Sequence, residues 1–202
     1  MDYHQSLKIA GGLLALLLFI PMIMGILKDG AEGQSGATWL LWGVLDTVLT
    51  ITIIEQRGNF LLPLGFAIGD IALVILLLAK GRFQWGWFDT AVLVLVIACM
   101  VVWKCAGPKP ATIASTLGVC IALLPGLLAM WKQPQCKVGN VWAGYILANV
   151  LSFFGGTAMT IEERFAPGMF ALCALAMSLA SRRKILFPNR IDESAPGNSG
   201  LG

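Results

Sequence analysis

The sequence predicts an all-α integral membrane protein with seven transmembrane helices in a 3-1-3 arrangement, in which a linker helix joins two parallel three-helix bundles. Three observations predict it. Of the 202 residues, 57% are hydrophobic and 12% charged, with a mean hydropathy of +0.80, whereas soluble domains average about 25% charged residues. The chain divides into apolar runs of about 20 residues, the length that crosses a bilayer. Its two halves also carry a weak internal repeat, as in many transporters.

Seven apolar runs are separated by short polar turns or turns that contain Gly and Pro. They cover approximately residues 7–27, 37–54, 60–79, 87–103, 111–131, 141–159 and 165–180. A six-helix chain, with the fourth run lying at the membrane interface, is the alternative. The predicted organisation is a first three-helix bundle at 1–84, linker helix 4 at 85–108, a second three-helix bundle at 109–186 and a cytoplasmic tail at 187–202. The tail is rich in Gly, Pro, Asn and Ser, so we expect it to be disordered.

Basic residues determine the predicted orientation, because cytoplasmic loops carry an excess of Lys and Arg. If the N-terminus is outside, nine of the 14 Lys and Arg residues fall in inside segments and the other five in outside segments. The largest basic block follows the last helix and includes Arg182, Arg183 and Lys184. The sequence therefore predicts a multi-pass protein with its N-terminus outside and its C-terminus in the cytoplasm.

Composition and motifs argue against several classes of function. The net charge is only +3 and there is no basic stripe, so we expect no nucleic-acid partner. The five cysteines form no C-x-x-C pair, and we expect them to pack as small apolar side chains. The single histidine, His4, lies near the N-terminus. Because no hydrolytic or metal-binding motif is present, the sequence predicts no enzyme, no cofactor and no metal site.

Prolines give the clearest signal of the internal repeat. Shifting the chain by 104 residues aligns Pro21 with Pro125 and Phe66 with Phe170. A proline inside a transmembrane helix frees a backbone carbonyl and permits a kink. We interpret Pro21 and Pro125 as paired gating hinges, with passive kinks as the alternative. Three helices are an odd number, so the fourth helix is needed to keep the two bundles parallel.

A shift of 103 residues aligns polar and aromatic residues of the second and sixth predicted helices. Asp46 aligns with Asn149, and Trp42 aligns with Tyr145. Each aromatic lies one turn before its polar partner on the same helix face. An aromatic ring beside a polar group in each half would form a stacking site for a sugar ring or a nucleobase. Ordinary packing or lipid contact is the alternative for the two aromatics.

Two carboxylates lie inside predicted transmembrane helices. Asp46 is about nine residues into the second helix, and Asp70 is about ten residues into the third. At about 1.5 Å rise per residue, both lie near the middle of a ~30 Å hydrocarbon core. Ionisable groups there are costly and mark pathways or relays, and without a basic neighbour they can be protonated near neutral pH. Both are candidates for substrate binding and proton coupling, or protonated groups that hold helices together.

This pattern resembles the SWEET and PQ-loop transporter superfamily, over about residues 7–184. The shared features are the 3-1-3 order, the proline in the first helix and the aromatic-rich second helix. The eponymous Pro-Gln pair is absent, since Met22 follows Pro21 and Gly126 follows Pro125. The Trp-Leu-Leu-Trp-x-x-x-Asp segment that begins at residue 39 also resembles the nicotinamide-riboside transporters of the same fold. The resemblance implies a substrate bracketed by aromatics of helices 2 and 6.

The sequence thus predicts a carrier that moves a small polar solute, such as a sugar, amino acid or nucleoside, across a lipid bilayer. Alternating access at a midplane site is the expected mechanism. The predicted substrate-binding residues are Trp42, Asp46, Asp70, Tyr145 and Asn149. The alternative is a non-transporting scaffold or partner-binding protein whose aspartates are helix-packing groups. One chain is large enough for a complete pathway, and a homo-oligomer is compatible with it.

Overall fold

A computed structural model describes residues 2–29, 35–134 and 136–186, and these residues are helical apart from short connections. The helices, in chain order, are α1 (Tyr3–Leu17), α2 (Phe19–Asp29), α3 (Gly36–Glu55), α4 (Leu61–Ala79), α5 (Trp87–Ala106), α6 (Pro108–Ala122), α7 (Leu124–Lys132), α8 (Cys136–Gly155) and α9 (Ala166–Leu186). A π-helical turn, Ile161–Phe165, precedes α9. The predicted disordered tail, 187–202, lies outside the described residues.

Two of the long helices are interrupted, each just before a proline. The first is α1 with α2, which breaks at Leu18, and the second is α6 with α7, which breaks at Leu123. Pro21 is the third residue of α2 and Pro125 the second residue of α7. Proline has no N–H to donate to the carbonyl four residues earlier, and its ring clashes with that carbonyl. The breaks therefore follow from the two prolines that the repeat aligns.

When each interrupted pair is counted as one helix, the described residues form seven helices. Six of them are long and apolar enough to cross a membrane: Tyr3–Lys28, Gly36–Glu55, Leu61–Ala79, Trp87–Ala106, Pro108–Lys132 and Ile161–Leu186. The seventh, α8, has 20 residues and is not one of those six. The all-helical class and the multi-pass integral membrane character are thereby confirmed.

Several predicted helix boundaries are wrong by about a turn or more, and they include the starts of α1 at Tyr3 and of α8 at Cys136. The sixth helix was expected at 141–159, but α8 ends at Gly155. The backbone there lies so close to α1 that a Cβ on Gly155 would come within 2.8 Å of the backbone nitrogen of Lys8. The last helix was expected to end near residue 180, but it continues through Arg182 to Leu186. Basic side chains favour a helix C-terminus because the peptide dipoles leave partial negative charge there.

The helices pack in an order that differs from their order in the chain. Helix α4 lies between α1 and α3, and α9 lies between α8 and the interrupted pair α6 and α7. Helix α1 also packs on α8, and α3 packs on α6, while α5 lies against α3 and α6. Glycines permit the closest approaches, as is usual between membrane helices. A Cβ on Gly11, for example, would lie 2.8 Å from the carbonyl oxygen of Ala148 on α8.

A buried asparagine ties the α3–α4 connection to the second half of the chain. Asn59 is 1% exposed. Its Nδ2 donates to the carbonyl oxygen of Ser152 at 2.9 Å and to the Ser152 hydroxyl at 3.0 Å. Its backbone N–H donates to the carbonyl oxygen of Glu162 at 3.0 Å. One residue therefore fixes the turn before α4 against α8 and the turn before α9.

We expect Asn59→Ala to lower the free energy of unfolding by about 1–3 kcal/mol, because it leaves the buried Ser152 groups without their donor. Asn140→Ala is the matched control, since the Asn140 side chain is exposed and accepts one bond from Arg182 at 2.8 Å. Thermal unfolding of both variants in detergent would measure the difference. Equal midpoints for the two variants would contradict the anchoring role of Asn59.

Candidate functional site

A cavity lies inside the bundle, where α3, α4, α8 and α9 meet the interrupted helices. About 70 Å³ of it is open to the centres of water-sized molecules. One water needs about 10–15 Å³ measured in this way. The cavity therefore has room for several waters or for a small organic molecule.

All five predicted substrate-binding residues line this cavity: Trp42, Asp46, Asp70, Tyr145 and Asn149. Their helices bring them together at similar depth. Asp46 is the eleventh of the 20 residues of α3, and Asp70 is the tenth of the 19 residues of α4. Both carboxyl groups are thus near the middle of their helices, as the sequence predicts. Each is almost fully buried, with 4% of Asp46 and 2% of Asp70 exposed.

The carboxyl groups of Asp46 and Asp70 are adjacent, and we call them the carboxyl pair. A hydrogen bond between them needs a proton on one of the two, since an ionised carboxylate only accepts. Gly43 permits this approach of α3 and α4, because a Cβ there would meet the Cβ of Asp70 at 3.2 Å. Oδ1 of Asp46 and Oδ2 of Asp70 remain buried without a partner among the described residues.

Two further polar groups in the cavity wall have unused hydrogen-bonding capacity. Nδ2 of Asn149 donates to the carbonyl oxygen of Tyr145 at 2.7 Å, while its Oδ1 is buried with no partner in the described part of the chain. Nε1 of Trp42 is also buried and has no hydrogen-bond partner among the described residues. Buried polar groups are almost always satisfied in folded proteins. Three acceptor oxygens and one N–H donor at one cavity therefore indicate a place where water or a ligand binds.

Aromatic rings form most of the remaining surface of the cavity, and we call them the aromatic wall. Its members are Phe19, Trp39, Trp42, Phe66, Trp142, Tyr145 and Phe170. The rings contact one another, with centroids 5.1 Å apart for Trp39 and Trp42 and 5.4 Å apart for Phe66 and Tyr145. Edge-to-face and tilted contacts at such distances hold aromatic side chains in fixed orientations.

The sequence analysis proposed only two of these aromatics, Trp42 and Tyr145. The same repeat already aligns Phe66 with Phe170, and the 103-residue shift aligns Trp39 with Trp142. Those alignments were a usable signal for four more members of the wall. Phe19 has no such partner. Its position depends on the break in the first helix and on Gly69, which leaves space for its ring.

The N-terminal end of the bundle is the end at which α1 and α9 begin. A buried ion pair closes this end. Nζ of Lys8 lies 2.8 Å from Oε2 of Glu163, and their side chains are 13% and 9% exposed. Oε2 of Glu163 also accepts from the backbone N–H of Thr157 at 3.3 Å. Glu163 is therefore the partner in a buried ion pair and not a solvated loop charge. Its partner is 155 residues away, so no local pattern could identify it.

The cavity extends from the carboxyl pair toward the opposite end of the bundle. Helices α3 and α8 both begin at that end, so Trp39 and Trp142 precede Asp46 and Asn149 along them. Met22 of α2 lines the cavity on the same side. Helix α7, which is also on that side, has no buried residue. The carboxyl pair is thus separated from the N-terminal end by packed helices and by the ion pair.

Comparison of the chain with protein-family models, curated proteins and solved structures finds no match. The site itself is therefore the basis for a functional conclusion. It combines two adjacent carboxyl groups, unpaired acceptors and aromatic rings in one cavity at mid-helix depth. Such a site can hold a small molecule by stacking and hydrogen bonding, and it can hold or release a proton.

Proposed function

We propose that this protein is a carrier that moves a small polar solute across a lipid bilayer by alternating access at the cavity. The observation that carries the proposal is the carboxyl pair, buried at mid-helix depth and bordering a cavity, with unpaired oxygens. Intramembrane ionisable groups that face a cavity are typical of substrate or ion pathways. Groups that only hold helices together have no need of a cavity or of unused acceptors.

The 3-1-3 arrangement is part of this proposal, and the packing order supports it. In the first half α4 lies between α1 and α3, and in the second half α9 lies between its two neighbours in the same way. Contacts between the halves are also reciprocal, since α1 packs on α8 as α3 packs on α6. Two equivalent three-helix bundles around a central site are the arrangement that rocking transporters use. This packing order supports the 3-1-3 arrangement that the resemblance to the SWEET and PQ-loop superfamily implies.

Pro21 and Pro125 are the proposed hinges of the rocking motion. Each follows a break in the first helix of its half. The segments beyond the breaks, α2 and α7, lie on the side toward which the cavity extends. A missing backbone hydrogen bond at each break lets the segment bend without loss of further bonds. The hinges would open and close that side of the cavity while α1 and α6 stay packed.

Proton coupling is the third part of the proposal. Two carboxyl groups in contact do not both ionise readily, so we expect the carboxyl pair to hold at least one proton. A solute that hydrogen-bonds the unpaired oxygens would change how tightly that proton is held. Movement of the solute and movement of the proton are then coupled.

Uptake into proteoliposomes tests the proposal with labelled sugars, amino acids and nucleosides under an imposed pH gradient. We expect flux of one solute class in the wild-type protein, and at least a tenfold loss in Asp46→Asn, because a hydrogen bond to a charged group contributes about 1.5–3 kcal/mol. Asp2→Asn, the same change at an exposed residue, should transport normally. If the wild-type protein shows no flux of any class, the scaffold function replaces the carrier. Unchanged flux in Asp46→Asn would remove proton coupling.

A further inference from the structure

The ends of α7 and α9 form a surface that is both basic and apolar, at the end of the bundle opposite Lys8 and Glu163. We propose that this surface binds one anionic phospholipid, with the phosphate at Arg183 and an acyl chain along α7 and α9. The site lies outside the central cavity, and it does not depend on the carrier function proposed above.

The first argument is the charge of this surface. Four basic residues cluster there: Lys132 at the end of α7, and Arg182, Arg183 and Lys184 near the end of α9. Neither helix contains an Asp or a Glu. Within the described residues the only ion pair is at the other end of the bundle, so the four charges have no acidic partner in that part of the chain. The surface therefore favours an anionic ligand.

The second argument is the geometry of Arg183, which is held against α7. Its guanidinium carbon lies 5.3 Å from the centre of the Trp131 ring, and its Nη2 donates to the carbonyl oxygen of Lys132 at 3.5 Å. Its Nε has no hydrogen-bond partner among the described residues. A guanidinium group that is fixed in orientation and has unused donors is suited to a phosphate, which it binds through parallel N–H groups.

The third argument is the apolar face that leads away from the basic cluster. Leu124, Leu128 and Trp131 follow one another at i, i+4 and i+7 on α7, so they lie on one helix face, and each is at least 50% exposed. Leu179, one turn before Arg183 on α9, is exposed as well. The contact between Trp131 and Arg183 brings the two helix faces together. An acyl chain on these faces would have its headgroup at the basic cluster.

The depth of the cluster also fits a lipid headgroup. The two candidate membrane spans that contain these residues, Pro108–Lys132 and Ile161–Leu186, end at the cluster or within a few residues of it. Tryptophan is enriched at this level of a membrane, and basic clusters there bind anionic lipids. A free phosphate or an acidic peptide would use the charges but leave the apolar face without a contact. A phospholipid occupies both.

A bound lipid would supply packing that α7 lacks. None of the nine residues of α7 is buried, although the helix lies against α9. The lipid would contact both helices at once. Because a ligand that binds only the folded chain stabilises it, the lipid should raise the temperature at which the protein unfolds.

Native mass spectrometry of the full chain in a non-ionic detergent tests the inference with phosphatidylglycerol and phosphatidylcholine that carry the same two oleoyl chains. We expect the first phosphatidylglycerol to bind at least about tenfold more tightly than phosphatidylcholine, because basic residues at the membrane surface attract anionic lipids. Phosphatidylglycerol should also raise the midpoint of thermal unfolding more than phosphatidylcholine does. Inorganic phosphate or poly-glutamate at the same concentration should not displace it, since neither can contact the apolar face.

Variants identify the groups responsible. Arg183→Gln should weaken the first phosphatidylglycerol site at least about tenfold, because it removes a charge-assisted contact with the phosphate. Arg82→Gln is the matched control, since it makes the same change at an exposed arginine of the same end of the bundle, and it should bind as the wild type does. The double variant Lys132→Gln/Lys184→Gln changes two exposed residues, leaves the contact of Arg183 with Trp131 intact, and should lower the preference for phosphatidylglycerol.

Equal affinity of the wild-type protein for the two lipids would overturn the inference. An equal loss in Arg183→Gln and Arg82→Gln would also overturn it, because the attraction would then belong to the whole end of the bundle. Displacement of the lipid by inorganic phosphate would indicate a phosphate site, and displacement by poly-glutamate would indicate an acidic protein partner, so either result would replace the lipid. If Arg183→Gln does not fold, an unchanged preference in the double Lys variant would overturn the inference in its place.

Discussion

Replacing Glu163 by glutamine is expected to open the N-terminal end of the bundle and to destabilise the protein. The substitution leaves the Lys8 ammonium group, 13% exposed, without a counter-charge. Removal of one partner of a buried ion pair costs about 3 kcal/mol or more. The bond from the backbone N–H of Thr157 can still form with the glutamine, so the loss reports mainly on the ion pair. In a carrier, a weaker closure at this end shifts the population toward the state that is open there.

Thiol labelling measures this opening directly. Cys173 lines the cavity and is not in a disulfide, so a chain that keeps only this cysteine can report access to the carboxyl pair. A membrane-impermeant maleimide applied from the side of the N-terminus should modify Cys173 slowly, and at least about tenfold faster after Glu163→Gln, which corresponds to a shift of about 1.4 kcal/mol. The matched control is Glu162→Gln, because Glu162 has no ion pair within the described residues.

A double variant distinguishes the loss of the ion pair from a general loss of stability. Lys8→Met combined with Glu163→Gln removes both charges, so the double variant should be more stable than Glu163→Gln alone. The coupling between the two changes should be about 1–3 kcal/mol in a double-mutant cycle. Additive effects on stability, or a Cys173 labelling rate that is the same in all variants, would show that the pair does not hold the N-terminal end closed.

The sequence predicted the helices and the depth of the two aspartates along them. Apolar runs of about 20 residues gave the helices, and counting along two of them put Asp46 and Asp70 at the middle of α3 and α4, as the structure has them. The two prolines aligned by the repeat mark the two helix breaks. These successes share a physical origin, because length, hydropathy and backbone chemistry act locally and do not depend on which helices are neighbours.

The sequence was less informative about which face of each helix is buried. In a soluble helix a polar face marks the solvent side, whereas lipid and protein interior are equally apolar, so a membrane helix carries no such mark. On α3, Leu45 is fully buried and Ile51 is 39% exposed, although the two are chemically alike. The wider aromatic wall and the Lys8–Glu163 pair depend on such packing between distant segments. That is why Phe19 of the wall and the ion pair at the N-terminal end could not be predicted, whereas the repeat held an unused signal for four other members of the wall.

The packing of α1 on α4 leads to the other large expected effect. We expect Gly12→Leu to lower the free energy of unfolding by about 3 kcal/mol or more, the upper part of the range for overpacked sites. A Cβ on Gly12 would lie 2.7 Å from the carbonyl oxygen of Leu61, and a Cβ on Gly65 would lie 2.6 Å from the carbonyl oxygen of Gly12. These neighbours are backbone atoms, which cannot rotate away as a side chain can. The two helices would have to separate.

Gly25→Leu is the matched control, because it makes the same change in the same interrupted helix, where no atom lies within 4 Å of an added Cβ. There the higher helix propensity of leucine should leave the stability unchanged or raise it slightly. Tryptophan fluorescence during heating in detergent would compare the midpoints. Separation of α1 from α4 would also displace Phe19 from Phe66 in the aromatic wall, whose rings are now 6.5 Å apart, so Gly12→Leu should weaken ligand binding in the molecules that remain folded. Equal midpoints for the two variants would mean that the close contact between α1 and α4 does not determine stability.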